Sequence, residues 1–270
     1  MKHPVRSRPA ARWCALALGG LAVAAPCRAD DAALTTDRPD FSESTEVVGP
    51  GRFQIETSLV SERDTSGGAP VRTRTTPTLF RLGLDERWEA RLETDGFARS
   101  HVSTGTAADA SGFSDIELGL KWHQQSGDEA TGQPGMAWLL HVGLPTGTRA
   151  FRGPGTRPSL RYVVEWDLPK GWSLGLMPGV FSDRNEGGRR YVGGIFAATL
   201  GKALTPRWQA FAELAGQQLA ARSNGGNVLS FDTGVAWLAN DDLQFDLSVY
   251  RGLNANTPDL LVDVGLSARF

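Results

Sequence analysis

From Arg52 onward, apolar and polar residues alternate with a period of two. The last run is the clearest. Leu260, Val262, Val264, Leu266, Ala268 and Phe270 share one face, and Leu261, Asp263, Gly265, Ser267 and Arg269 share the other. That pattern predicts a strand with one apolar and one polar side. It recurs in Leu243–Tyr250, Leu229–Trp237, Asp115–Trp122, Trp88–Glu93 and Ser159–Trp166. In all, about twelve strands are expected. They lie near 52–62, 73–84, 88–97, 114–123, 136–144, 159–168, 172–181, 191–201, 208–217, 228–238, 243–252 and 260–270, with 73–84 and 191–201 the least regular. Most are about ten residues long, enough for a tilted strand to cross a bilayer core.

Connection lengths alternate as well. The links Asp85–Arg87, Pro169–Gly171, Lys202–Arg207 and Ala239–Asp242 are short, whereas Ala98–Phe113 and Pro145–Pro158 are long. Gln124–Gly135 breaks the rule, being long where a short turn is due. Trp88, Trp138, Trp172 and Trp208 open strands, and Trp122, Trp166 and Trp237 close them. In an up-and-down barrel all seven fall on the short-turn rim, with Phe53 and Phe270 beside them. Amphipathic rings favour the membrane–water interface, so this set reads as an aromatic girdle. A soluble β-sandwich offers no reason for one shared rim. The expected fold is all-β: a transmembrane antiparallel up-and-down β-barrel over 52–270.

Residues 1–29 carry Lys2, Arg6, Arg8 and Arg12, an apolar run from Trp13 to Ala25, and a small residue at Ala29. They read as a signal peptide cleaved before Asp30. Residues 30–51 are polar and turn-rich and read as an N-terminal periplasmic lead-in. Beyond residue 29 there is no cysteine, so neither a disulfide nor a thiolate metal site is expected there. Without Lys2, Arg6, Arg8, Arg12 and Arg28 the chain has 23 basic and 30 acidic side chains, a net of −7. The basic residues form no long run, which argues against nucleic acid as a partner.

The lead-in Thr35-Thr36-Asp37-Arg38-Pro39-Asp40-Phe41-Ser42-Glu43-Ser44, followed by Gly49-Pro50-Gly51-Arg52-Phe53-Gln54-Ile55-Glu56, resembles the opening of the outer-membrane transporter family labelled "MetA-pathway of phenol degradation". Leu144-Pro145-Thr146-Gly147 and the run Asp259 to Phe270 are similar to that family too. The resemblance implies a β-barrel in the outer membrane of a Gram-negative bacterium. Its label implies aromatic or other hydrophobic solutes, and it brings no catalytic residue. The terminal Phe270 resembles the assembly signal read by the barrel-insertion machinery. Outer-membrane lipid, that machinery and small-molecule solutes are therefore the expected partners.

Alternation points one set of charges inward. The acids are Glu56, Glu89, Glu93, Asp115, Glu117, Glu165, Glu213, Asp232, Asp246 and Asp263, and the bases are Arg81, Arg91, Lys121, Arg161 and Arg269. They form either a network that holds the interior together or the lining of a pore favouring cations and neutral solutes. The reading carried forward is a channel for passive uptake of small solutes, needing no cofactor and no catalytic step. Two alternatives stand: a phospholipase-like barrel hydrolase, and a plugged structural or surface-interaction barrel. The hydrolase needs a base beside a nucleophile. His101, His123 and His141 are the histidines available, with Ser223-Asn224 as a nucleophile-like pair, and they show no triad spacing. The histidines also lack metal-ligand spacing.

Overall fold

The computed structural model describes residues 33–103, 109–185 and 187–270, so the signal-peptide segment lies outside the described residues. The fold is a closed twelve-stranded antiparallel barrel. β1 is Phe53–Asp64. β2 comprises Val71–Thr75 and Thr78–Gly83, β3 Trp88–Thr94 and Phe97–Val102, and β4 Ala110–Phe113 and Ile116–Gln125. There follow β5 (Gly135–Leu144), β6 (Arg157–Leu168), β7 (Trp172–Arg184), β8 (Arg190–Thr205) and β9 (Trp208–Leu219). The last three are β10 (Val228–Asn240), β11 (Leu243–Gly252) and β12 (Leu260–Arg269). Each strand pairs with the next in the chain, and β1 pairs with β12 from Gln54↔Arg269 to Arg63↔Leu260, closing the ring. Closure leaves no edge except along the outer piece of β4, so the other strands satisfy their backbone polar groups inside the wall.

The outer face is apolar. Leu59, Leu118, Leu140, Val180, Val192, Leu214, Leu247 and Val264 are all exposed, as strands facing hydrocarbon must be. The short-turn rim carries the aromatic residues. Trp88 stacks on Trp122 and Trp208 on Trp237, which stacks in turn on Phe245. Trp138 packs on Tyr162, and Phe53 on Phe80 and Phe270. Trp166 and Trp172 fall on the same rim, at facing ends of β6 and β7.

Three strands depart from the expected regularity. β2 breaks at Thr76–Pro77, β3 at Asp95–Gly96 and β4 at Ser114–Asp115, on one line across the wall. Pro77 has no N–H to give the ladder. Gly96 has φ +66°, and a Cβ there would stand 2.3 Å from the Thr76 carbonyl oxygen. Bonds from Ser58 N to Pro77 O, Thr76 N to Asp95 O and Ser114 N to Gly96 O carry the sheet across the line. Much of the expected loop 98–113 is thus strand. The free side of the outer piece of β4 is taken by the β5–β6 connection, where Thr148 N donates to Phe113 O (2.9 Å) and Gly147 N to Asp115 Oδ1 (2.8 Å). The long link on the short-turn rim, 126–134, is tied down by paired bonds between Asp128 and Gln133.

Candidate functional site

The polar, turn-rich lead-in is not a free extension of the wall. From Ala33 on it is threaded into the barrel. It is bonded at once to β2, β3, β4, β6, β9, β11 and β12, and only a segment inside the ring can reach all of these. Both feet rest on the short-turn rim: Leu34 N donates to Asp241 O (2.7 Å), and Gly51 N to Gly83 O (2.9 Å). The physical reason is charge. The wall turns many ionised groups inward, and a polar segment satisfies them better than a dry gap would.

Four side chains of this inner segment carry most of the docking. Asp37 receives Lys121 Nζ on both oxygens (2.9 Å each) and Arg91 Nη1 at 2.5 Å. Arg38 reaches the other side, where its Nη2 meets Asp246 (3.0 Å) and Asp263 (2.8 Å). Gly265 leaves the room for this, since a Cβ there would lie 2.5 Å from Arg38 Nη2. Glu43 pairs with Arg91 (2.7 Å) and with Arg161. The Phe41 ring packs on an inward apolar patch of Leu139, Val163, Met177, Ile195 and Ala197. The backbone helps too: Phe41 N and Ser42 N both donate to Glu213 at 2.8 Å, and the Tyr250 hydroxyl donates to the Pro39 carbonyl. Burial alone would push the Glu43 carboxyl up, but the Arg91 and Arg161 guanidiniums beside it bring it down to about 2. Asp37 is held well below the usual carboxylate range against the same burial, by Arg81, Lys121 and Arg91.

Among the inward residues read from the sequence, Glu56, Glu89, Arg91, Lys121, Glu213, Asp232, Asp246 and Asp263 are buried in the interior. Glu93, Asp115, Glu117, Arg161 and Glu165 are half-buried there. Arg269 sits at the short-turn rim, bonded to Asp242 (2.8 Å). Arg81 is wholly buried between Glu56 and Glu89, 2.8 Å from each. Sequence reasoning missed Asp37, Arg38, Phe41 and Glu43 as interior groups. It also missed the apolar patch, although Trp138-Leu139-Leu140 and Val163-Val164, apolar on both faces, carried that signal.

Two spaces flank the inner segment. One of about 190 Å³ lies among Leu34, Ser42, Val163, Ser173, Thr199 and Phe211. The other, of about 720 Å³, lies toward the long loops among Val60, Glu62, Asp95, Glu117, Phe151 and Leu261. Arg38, Asp40 and Glu43 line both. Atoms of Glu43, Glu93 and His141 lie within 4.8 Å of one another, a distance compatible with a metal. Arg91 and Arg161 already pair with Glu43, however, and His141 Nδ1 faces Glu117 at 2.8 Å, so the group reads as an ion-pair cluster. Among the described residues His141 is bonded to no serine, and Ser223 lies in a short turn, Arg222–Asn224, between β9 and β10. His123 Nε2 is 2.9 Å from Ser126 Oγ, but its Nδ1 faces the Thr45 carbonyl of the inner segment (2.8 Å), which gives that ring a docking role.

The family model described as MetA-pathway of phenol degradation matches residues 36–270. Among solved structures, an outer-membrane channel from Pseudomonas putida F1 superposes with a TM-score of 0.63 at 12% identity, over 84% of this chain and 98% of that one. The NanC porin does so with a TM-score of 0.53 at 10% identity, over 79% and 98%. The KdgM porin, solved in complex with oligogalacturonate, gives 0.50 at 6% identity, over 81% and 99%. At such identities the likeness is one of fold. No curated protein matches the chain.

Proposed function

We propose, for a chain that belongs to the MetA-pathway of phenol degradation family, that it is an outer-membrane channel for passive uptake of small solutes. Residues 1–29 are then its export signal, removed before insertion. The observation that carries this reading is the space of about 720 Å³, lined by charged and apolar residues alike, inside a wall whose outer face is apolar. The docked segment lines that space through Asp37, Arg38, Asp40, Phe41 and Glu43. Such a wall belongs in lipid, and such an interior passes solutes once the segment shifts. Aromatic or other hydrophobic compounds are the solutes the family label favours, and Phe41, Phe151 and Leu261 give the space some apolar surface for them.

A plugged structural barrel is the second reading, favoured by the buried ion pairs of Asp37. Single-channel recording separates the two. The chain from residue 30 should give small, defined conductance steps, and a variant lacking 33–48 several-fold larger ones. A barrel that heat modification shows to be folded, yet is silent in both forms, would establish the structural reading instead.

A further inference from the structure

On the outer surface, at the long-loop end of β1 to β3, four arginines stand together. Arg63 and Arg72 are direct cross-strand partners, and so are Arg74 and Arg99. All four are exposed. Alternation turns them to the outside, because Val60, Glu62, Thr73 and Thr75 between them line the interior space. Among the described residues none of the four has a side-chain hydrogen bond or ion pair. The upper row runs Arg251, Leu260, Arg63, Arg72, His101 across five strands, and only His101, 2.7 Å from Asp109, has a carboxylate partner. Directly opposed like charges destabilise a sheet, so the wall accepts a cost here that a bound anion would remove. Arg184 and Arg190, opposed elsewhere on the rim, differ: they fold back onto the Gly188 and Thr156 carbonyls.

Height and surroundings identify the anion. From Phe53 in the girdle to Arg63 is ten steps along β1. At about 3.3 Å per residue and a tilt of about 40°, Arg63 stands about 25 Å above the girdle, the height of a barrel's apolar band. Below the patch lie exposed Leu59 and Phe97, a surface for acyl chains. We propose that this patch binds the phosphate groups of a phosphorylated glycolipid in the outer leaflet. Guanidiniums grip phosphate through paired N–H bonds. A phosphomonoester carries close to two negative charges near neutral pH, so one such group matches each arginine pair, whereas a phosphodiester leaves half the charge unmet.

The inference rests on the membrane placement proposed above and is independent of solute passage. Refolded protein in non-ionic micelles, titrated with bis-phosphorylated lipid A and followed by native mass spectrometry, tests it. Wild type should retain the lipid. R63Q/R72Q/R74Q/R99Q and R72Q/R74Q should weaken retention by tenfold or more and by several-fold respectively, and R184Q/R190Q should leave it unchanged. Dephosphorylated lipid A, phosphatidylglycerol and inorganic phosphate should each bind at least tenfold more weakly. Without lipid, the quadruple variant should unfold at or above the wild-type temperature, because opposed charges have been removed. Unchanged retention in the quadruple variant, or equal binding of phosphatidylglycerol or inorganic phosphate, would overturn the proposal. A detergent-dependent barrel that fails to retain the lipid defeats only this inference, whereas a chain soluble without detergent defeats the membrane placement itself.

Discussion

The two sides of the interior handle buried charge differently. On the side built from β2, β3 and β4, guanidiniums find acids within the wall: Arg81 has Glu56 and Glu89, and Arg91 has Glu89 and Glu93. Lys121 is the exception, for its bonds go to Asp37, Ser44 and Glu46, all on the inner segment. On the side built from β9 to β12 the buried charges are acids: Glu213, Asp232, Asp246 and Asp263. Their relief comes from backbone N–H groups, hydroxyls and Arg38, chiefly lent by the inner segment. One side is largely paired within the wall, whereas the other depends on the segment. The cost of a substitution should therefore follow whether the wall holds a second partner.

Asp37→Ala tests the strongest dependence. It removes the counter-charge of fully buried Lys121, and breaking such a pair costs about 3–5 kcal/mol. A marked drop in the heat-modification temperature is expected, together with larger conductance. If neither changes, the segment is not held through Lys121. Arg38→Met comes next, at about 2 kcal/mol, since Asp263 lines the larger space and the two acids left uncovered can take up protons or mobile cations. A rise in cation preference should accompany it, read from the reversal potential in a salt gradient.

Acid comes third. A carboxyl depressed on folding adds stability that is complete above its ordinary value, 4.5 for Glu43, and that is lost as pH falls toward its folded value of about 2. The Glu43 contacts should thus be intact at pH 5 and loosen only below about pH 4. Conductance recorded from pH 7 down to pH 3 checks this: flat to pH 5 and rising below 4 is expected, and a rise already complete at pH 5 would contradict it. The smallest effect falls on Glu93→Ala and Glu117→Ala. Both groups are half-buried at the edge of the larger space, so stability should move by less than about 1 kcal/mol while cation selectivity declines. Unaltered reversal potentials in both would place them off the solute path.

Strand number and girdle were legible because alternation and tryptophan position are local signals, repeated along the whole chain. Trp88 and Trp122, placed on one rim from strand order alone, are stacked partners in adjacent strands. The break line was only half legible: Pro77 marks β2, but Ser114-Asp115 gives no local warning and is set by the β5–β6 loop that binds it. The inner segment was not legible at all. Asp37-Arg38-Pro39-Asp40 reads as solvated charge until the wall's own charges are placed around it, and no periodicity along the chain carries that information. Residues with no strand pattern came to hold the interior together.

The inner segment begins and ends on the same rim. It can therefore slip out toward that side as a bight of rope leaves a ring, with no chain terminus passing through the bore and no pair of strands coming apart. Had its feet stood on opposite rims, clearing the passage would have meant stretching the segment flat along the wall. Anchored as it is, the stopper stays tethered to β1 throughout and can reseat in the same register.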